Sequence, residues 1–448
     1  MTPFVSSPQR ALRGRISVPG DKSISHRALI LAAVAVGRSR ISGVLEGDDV
    51  LRTAAALRAL GAAIVREGDG EYAVDGVGVG GLMESESVLD LGNSGTGARL
   101  LIGLVATHPF TSFFTGDASL SRRPMGRVIG PLSHMGAAFV ARDGRLPLTC
   151  LGARMPIPIR ETMSVPSAQV KSAILLAGLN APGETTVIEP ARTRDHTEIL
   201  LRHFGATVRI EETTVKEIDE TKLSYAVSVA GQPELSARDV TVPGDPSSAA
   251  FPIVAALLAE DADVTVENVG VNPLRIGLYE TLQEMGADIT FENRRQQGGE
   301  LVADIRARSS RLTGVTVPAS RAPAMIDEYP ILAVAAAFAE GQTVMQGLAE
   351  LRVKESDRLS AIAKGLAACG ATSEVSGDTL LVGGTGARIS GNAKIDTGMD
   401  HRIAMAFLVM GLAARDKVVI DDAAMIATSF PGFAELMNGL GASMKPAP

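Results

Sequence analysis

Leu60-Gly61-Ala62-Ala63-Ile64-Val65 holds an apolar helix end, a Gly-Ala pair and the start of an extended segment. Glycine just past a helix supplies the left-handed cap that other residues resist, and Ile-Val after it favours a strand. The arrangement recurs at Met135-Gly136-Ala137, Phe204-Gly205-Ala206, Met285-Gly286-Ala287, Cys369-Gly370-Ala371 and Leu440-Gly441-Ala442. From Gly61 to Gly441 the gaps are 75, 69, 81, 84 and 71 residues. Such near-regular spacing marks a large internal repeat of helices and strands. The expectation is an α/β chain of six repeats, divided three and three. A boundary falls near Ser236 to Asp245, after the charged run Glu211 to Thr221, which reads as irregular.

Ahead of the first copy lies Gly20-Asp21-Lys22-Ser23-Ile24-Ser25-His26-Arg27. It follows a strand-like run, Arg15 to Val18, and a Pro19-Gly20 turn, and it leads into the apolar helical run Ala28 to Val34. Ser23 is placed to cap that helix. Lys22 and Arg27 put cations near a helix end that is already electropositive, which is poor for the helix alone. A bound anion resolves the conflict. If the strand before this loop pairs with the second half, the chain crosses between domains twice. The expected domains are then 21–239, and 1–20 together with 240–448.

Similar loops precede other apolar helical runs. Asp90 to Gly97 contains Gly95-Thr96-Gly97, where the backbone can approach a ligand closely. Arg122-Arg123-Pro124-Met125, Ser167-Ala168-Gln169 and Arg194-Asp195-His196 follow. The second half offers Asp245-Pro246-Ser247, Asp327-Glu328, Lys354-Glu355-Ser356-Asp357-Arg358 and Asp400-His401-Arg402. Asp245-Pro246-Ser247 and Thr197-Glu198 read as plain capping sequences. Basic residues at so many helix starts point instead to a site for several anionic groups.

Composition narrows the function. A length of 448 residues suits two or three domains, and the net charge of −7 argues against a nucleic-acid binder. Locally basic loops on an acidic background suit small anionic substrates. Cys150 and Cys369 are too few for a disulfide framework and lack metal-ligand spacing, which fits a reducing cytosol. Met1 to Leu12 has no signal-peptide core, and the apolar run Ile403 to Ala414 is too short to span a bilayer. A soluble, cytoplasmic protein without a metal or cofactor is expected.

Seven ordered motifs resemble the 5-enolpyruvylshikimate-3-phosphate synthase family, from about Arg13 to Gly441. They are Gly20 to Arg27, Gly92-Asn93-Ser94-Gly95-Thr96, Arg122 to Met125, Ser167 to Gln169, Asp327-Glu328-Tyr329-Pro330, Arg352 to Arg358 and Asp400 to Arg402. The bacterial class II branch, with its glyphosate-tolerant members, is the nearest likeness. The resemblance implies a two-domain inside-out α/β barrel of six βαβαββ units, three per domain, with the active site in the interdomain cleft. It implies a monomer that joins phosphoenolpyruvate to the 5-hydroxyl of shikimate-3-phosphate and releases phosphate.

By the same resemblance, shikimate-3-phosphate falls to Lys22, Ser23, Arg27, Ser167, Ala168, Gln169, Arg194, Asp327 and Lys354. Phosphoenolpyruvate falls to Lys22, Gly95, Arg123, Gln169, Glu355, Arg358 and Arg402. Asp327 would deprotonate the attacking hydroxyl, Glu355 would move the C3 proton, and Lys22 would serve the leaving phosphate. On the residues alone, Asp327 reads as a capping acid and Glu355 as a partner of Lys354. One position departs from the family pattern: Thr428 stands where many members carry a lysine. Gly95 leaves space for glyphosate at the phosphoenolpyruvate site. Rival readings are the sister UDP-N-acetylglucosamine enolpyruvyl transferase, which the lack of a cysteine in Gly116 to Arg127 disfavours, and a non-catalytic sensor of phosphometabolites.

Overall fold

The computed structural model describes residues 2–216 and 221–447. Its helices are α1 (Lys22–Ala33), α2 (Asp48–Ala59), α3 (Gly95–Val105), α4 (Gly126–His134), α5 (Ala168–Gly178), α6 (His196–His203), α7 (Pro246–Leu258), α8 (Gly277–Glu284), the single turn α9 (Ala322–Met325), α10 (Tyr329–Phe338), α11 (Arg358–Ala368), α12 (His401–Ala413) and α13 (Phe433–Gly439). The second helix of every repeat, α2, α4, α6, α8, α11 and α13, runs into one of the six Gly-Ala pairs. All six glycines have positive φ, from 84° at Gly370 to 105° at Gly441. The first helices, α1, α3, α5, α7, α10 and α12, are buried on nearly every face, as their unbroken apolar runs require.

The chain divides into two units, Met1–Pro19 with Pro243–Gln296 and Leu301–Pro448, and Gly20–Val242 with Gln297–Glu300. Among the described residues each has its own apolar core and three four-stranded sheets of a single design. In one repeat Leu89–Asp90 runs parallel to Thr111–Thr115, which is antiparallel to Leu148–Leu151, itself antiparallel to Ala138–Ala141. The first strands are exchanged. Ala11–Ser17 pairs with Asp261–Gly270 rather than with Val36–Ser42, the strand that follows α1, and Val240–Thr241 pairs with Val36–Ser42 instead.

Two expectations of local structure fail. Glu211 to Lys216 is not irregular: it completes a strand, Val208–Lys216, paired with Thr221–Ala230. Glu211 and Glu212 are exposed on the strand rather than breaking it, and residues 217–220 of that run lie outside the described residues. Ser23 does not cap α1. Asp21 does, its Oδ1 accepting from the Ile24 amide at 2.9 Å, because it stands three residues before that unpaired N–H while Ser23 is already inside the helix.

Candidate active site

In the unit Gly20–Val242, the starts of α1, α3 and α5 carry most of the residues singled out above. Lys22 lies on the first turn of α1, its Nζ 3.0 Å from Asp49 Oδ2 on α2. Arg27, one turn on, is buried and donates to the Thr197 hydroxyl at 2.7 Å, the Ser172 hydroxyl at 2.8 Å and the Ser23 carbonyl at 2.9 Å. These are neutral oxygens. Burial pulls its pKa down to about 10, against the pull of Glu198 and Asp21 and with Arg194 pressing the same way. Arg27 therefore remains a cation at neutral pH. Its neighbour His26 is buried, with Nδ1 2.8 Å from the Thr53 hydroxyl, and burial, Lys22 and Arg27 hold it well below the usual range, so it is neutral.

Ser94 caps α3 through the Gly97 amide at 3.0 Å. Gly95 opens the helix, and a Cβ there would stand 2.8 Å from Arg123 Nη1 and 2.9 Å from Arg99 Nη1. Arg123 donates to Asn93 Oδ1 at 2.5 Å. Arg99 donates to the Gly95 carbonyl and to Gln169 Oε1, both at 3.1 Å, and Gln169 donates to the Thr96 hydroxyl at 2.9 Å. Arg123 thus comes close to Gly95, and Gly95 and Gln169 are joined through Arg99, which sequence reasoning missed. Its place one turn into the helix after Gly95 is the signal that could have found it. Ser167 caps α5 at Val170, with Ala168 on the first turn.

Two residues near the start of α5 and α6 have another task. Lys171 is sealed in, its Nζ 2.7 Å from Glu198, 3.1 Å from Glu189 and 3.3 Å from the Thr193 carbonyl. It ties down the loop that presents Arg194. Glu198 and Thr197 are therefore more than plain capping residues, since Thr197 holds Arg27 and Glu198 holds Lys171.

The other unit gathers its carboxylates around one arginine. Arg358, fully buried at the start of α11, meets Asp400 at 2.7 Å, Asp327 at 3.2 Å and Glu355 at 2.5 Å. Burial alone would pull its pKa down, but Asp400, Glu355 and Asp327 outweigh that and hold it up. Asp400 is held low by Arg358 in spite of its burial, and it caps α12 through the Arg402 amide at 2.9 Å. Lys354 Nζ stands 3.3 Å from Asp327. Arg402, on the first turn of α12, has Nη1 3.4 Å from the Asp327 carbonyl and 3.6 Å from Glu328 Oε1. Asp327 is a partner of two cations rather than the capping acid its position suggests, and Glu355 pairs with Arg358. Asp245 does cap its helix, through the Ser247 amide at 2.7 Å. Thr428 turns its hydroxyl back to the Met425 carbonyl at 2.7 Å, so it supplies no cation.

Residues 6–437 match the profile described as EPSP synthase (3-phosphoshikimate 1-carboxyvinyltransferase). The chain belongs to the EPSP synthase family. It is 64% identical to the 3-phosphoshikimate 1-carboxyvinyltransferase of Paramagnetospirillum magneticum, over 99% of this chain and 98% of that one. Identity is 59% to the enzyme of the same name from Parvibaculum lavamentivorans, over 98% and 96%. The solved EPSP synthase of Acinetobacter baumannii superposes over the full length of both chains with a TM-score of 0.87 at 43% identity. The chain is accordingly an enzyme, a 3-phosphoshikimate 1-carboxyvinyltransferase of the shikimate pathway with shikimate-3-phosphate and phosphoenolpyruvate as its substrates. These names are those of the shikimate enzyme, not of the nucleotide-sugar transferase or of a sensor. No helix among the described residues is long and apolar enough to cross a membrane.

Proposed function

We propose that the residues described above carry out a single addition–elimination. Lys22, Ser23, Arg27, Ser167, Ala168, Gln169, Arg194, Asp327 and Lys354 bind shikimate-3-phosphate. Lys22, Gly95, Arg123, Gln169, Glu355, Arg358 and Arg402 bind phosphoenolpyruvate. Asp327 takes the proton of the 5-hydroxyl as its oxygen bonds to C2 of the enolpyruvate, and C3 gains a proton from Glu355. The resulting ketal phosphate then loses that C3 proton to Glu355 as the C2–phosphate bond breaks, with Lys22 facing the departing phosphate.

The observation that supports this reading best is the arrangement of Asp327 and Glu355 on Arg358. Both carboxylates touch one guanidinium, which is sealed at 1% exposure, yet they keep 13% and 19% of their own surface open. A rigid cation thus fixes two acids while leaving each a free side. Glu355→Gln keeps the shape and removes the titrating group. Turnover should fall by about 10²–10⁴-fold with shikimate-3-phosphate binding retained, measured by phosphate release and by calorimetry. Near-normal turnover would show that Glu355 moves no proton.

Glyphosate, in this reading, takes the place of phosphoenolpyruvate beside Gly95. The enzyme acts as a monomer in the cytoplasm, a reading supported by a separate core in each unit and by two buried, unpaired thiols.

A further inference from the structure

Glu328 directly follows Asp327, yet the two side chains go to different partners. Asp327 reaches Lys354 and Arg358. Glu328 is buried and takes both its oxygens to Arg275 Nη1, at 3.0 Å each, while accepting from the Ser247 hydroxyl at 2.5 Å. Arg275 is equally buried and also contacts the Ser247 hydroxyl and Asp245 Oδ1, the latter at 3.5 Å. Arg402 Nη1 lies 3.6 Å from Glu328 Oε1, beyond a direct hydrogen bond, and 3.4 Å from the backbone carbonyl of Asp327. The charges therefore alternate along one line: Asp245, Arg275, Glu328, Arg402.

We propose that Glu328 and Arg275 form a positioning pair that aims Arg402 without neutralising it. A carboxylate within reach of a substrate-binding arginine carries a hazard. If its charge is unshared, it captures the guanidinium as a tight bidentate partner, and the incoming anion must compete with it. If it is absent, the arginine loses the contact that holds it in place. Arg275 resolves this by occupying both oxygens of Glu328, which leaves a longer and weaker attraction to Arg402. Because Glu328 is also the residue after Asp327, the pair fixes the backbone carbonyl that Arg402 touches. Neither residue meets substrate in this account. It rests on the reading that Arg402 binds phosphoenolpyruvate.

The line of charges makes a prediction of sign that a merely structural ion pair does not. In Arg275→Met, Glu328 is released and draws Arg402 in, so KM for phosphoenolpyruvate should rise by about 10–100-fold. In the double variant Arg275→Met/Glu328→Met no charge remains to capture Arg402, and KM should return to within about tenfold of the parent. Glu328→Gln, which retains hydrogen bonds to Arg275 and Ser247, should raise the same KM by less than Arg275→Met. In all three, KM for shikimate-3-phosphate should move far less. Steady-state kinetics with each substrate varied, alongside melting temperatures, would read this. A double variant no better than Arg275→Met, or parallel rises in both KM values, would overturn the proposal. If Arg275→Met does not fold, the decision passes to Glu328→Gln, whose unchanged KM for phosphoenolpyruvate overturns it equally. Arg402→Gln separates the two layers. If that variant leaves KM for phosphoenolpyruvate unchanged, the assignment of Arg402 itself is wrong. If it raises KM while the pair variants do nothing, only the positioning role fails.

Discussion

A single methyl group at residue 95 tests the reading of the phosphoenolpyruvate end of the site. The added carbon would stand under 3 Å from Arg123 and Arg99, both at the far ends of flexible side chains. The fold should tolerate Gly95→Ala, but the two guanidiniums must shift. KM for phosphoenolpyruvate should rise by about 3–10-fold, and the inhibition constant of glyphosate by more, since the longer molecule has less room to move away. Equal shifts for the two ligands would place the inhibitor elsewhere. His26 offers a test by pH. Unfolded, it takes up a proton near pH 6.5, whereas in the fold burial, Lys22 and Arg27 keep it neutral to well below that. Below about pH 6.5 the unfolded chain therefore binds the extra proton, and stability falls with pH by up to about 1.4 kcal/mol per unit. His26→Gln should lose less stability than the parent between about pH 6.5 and 5, as followed by urea denaturation. At this scale the motif residues were legible because each sits in a short run with a helix start. Arg275 was not, because its meaning lies in Glu328, 53 positions away, and the link from Arg99 to Gln169, 70 positions away, was equally hidden.

Between helices the same lesson holds with glycine. Gly103 lies in the middle of α3, where exchange for alanine ordinarily stabilises a helix by about 1 kcal/mol. Here the Cβ would stand 2.3 Å from the Ala173 carbonyl oxygen and 2.6 Å from its Cα, which is the backbone of α5. Backbone cannot swing aside as a side chain can, so Gly103→Ala should destabilise by roughly 1–3 kcal/mol. Because α5 carries Ser167, Ala168 and Gln169, the affinity for shikimate-3-phosphate should also fall. Gly205 makes the converse case. Its Cβ would meet nothing within 4 Å, but its φ of 99° alone makes alanine costly, by about 1–2 kcal/mol. Thermal melts of the two variants, with ligand binding measured for each, separate contact from strain. If Gly103→Ala melts no lower than the parent, the close approach of α3 and α5 is not tight in solution. The six Gly-Ala caps were legible because the cap is a local demand on φ. The closeness of α3 to α5 was not, since a mid-helix glycine in an apolar run carries no mark of which neighbour it admits.

Across the whole chain, repeat number was readable from spacing alone, while strand partnership was not. Nothing in Ala11–Ser17 or Val240–Thr241 distinguishes the strand next in sequence from one 250 or 199 residues away; register is decided by what the pairing buries. The N-terminal strand shows how far this reaches. Phe4–Ser6 lies inside its sheet, paired with Val418–Ile420 on one side and Met444–Pro446 on the other. Val5 is 5% exposed and Ser6 is fully buried. Removing residues 2–7 thus deletes an interior strand, which leaves Met444–Pro446 without a neighbour and Val418–Ile420 with Ala393–Ile395 on one side alone, whereas removing residues 444–448 deletes only an edge. At about 1 kcal/mol for each net backbone hydrogen bond, with loss of the apolar contacts of Phe4 and Val5 besides, the first truncation should cost several kcal/mol more than the second. Amides of Val418 to Ile420 should exchange with solvent far faster in the first variant than in the second. Equal exchange in both would mean that the last sheet does not depend on its first strand. A large gap between them would make the opening residues of the chain part of the framework that carries α12, and with it Arg402.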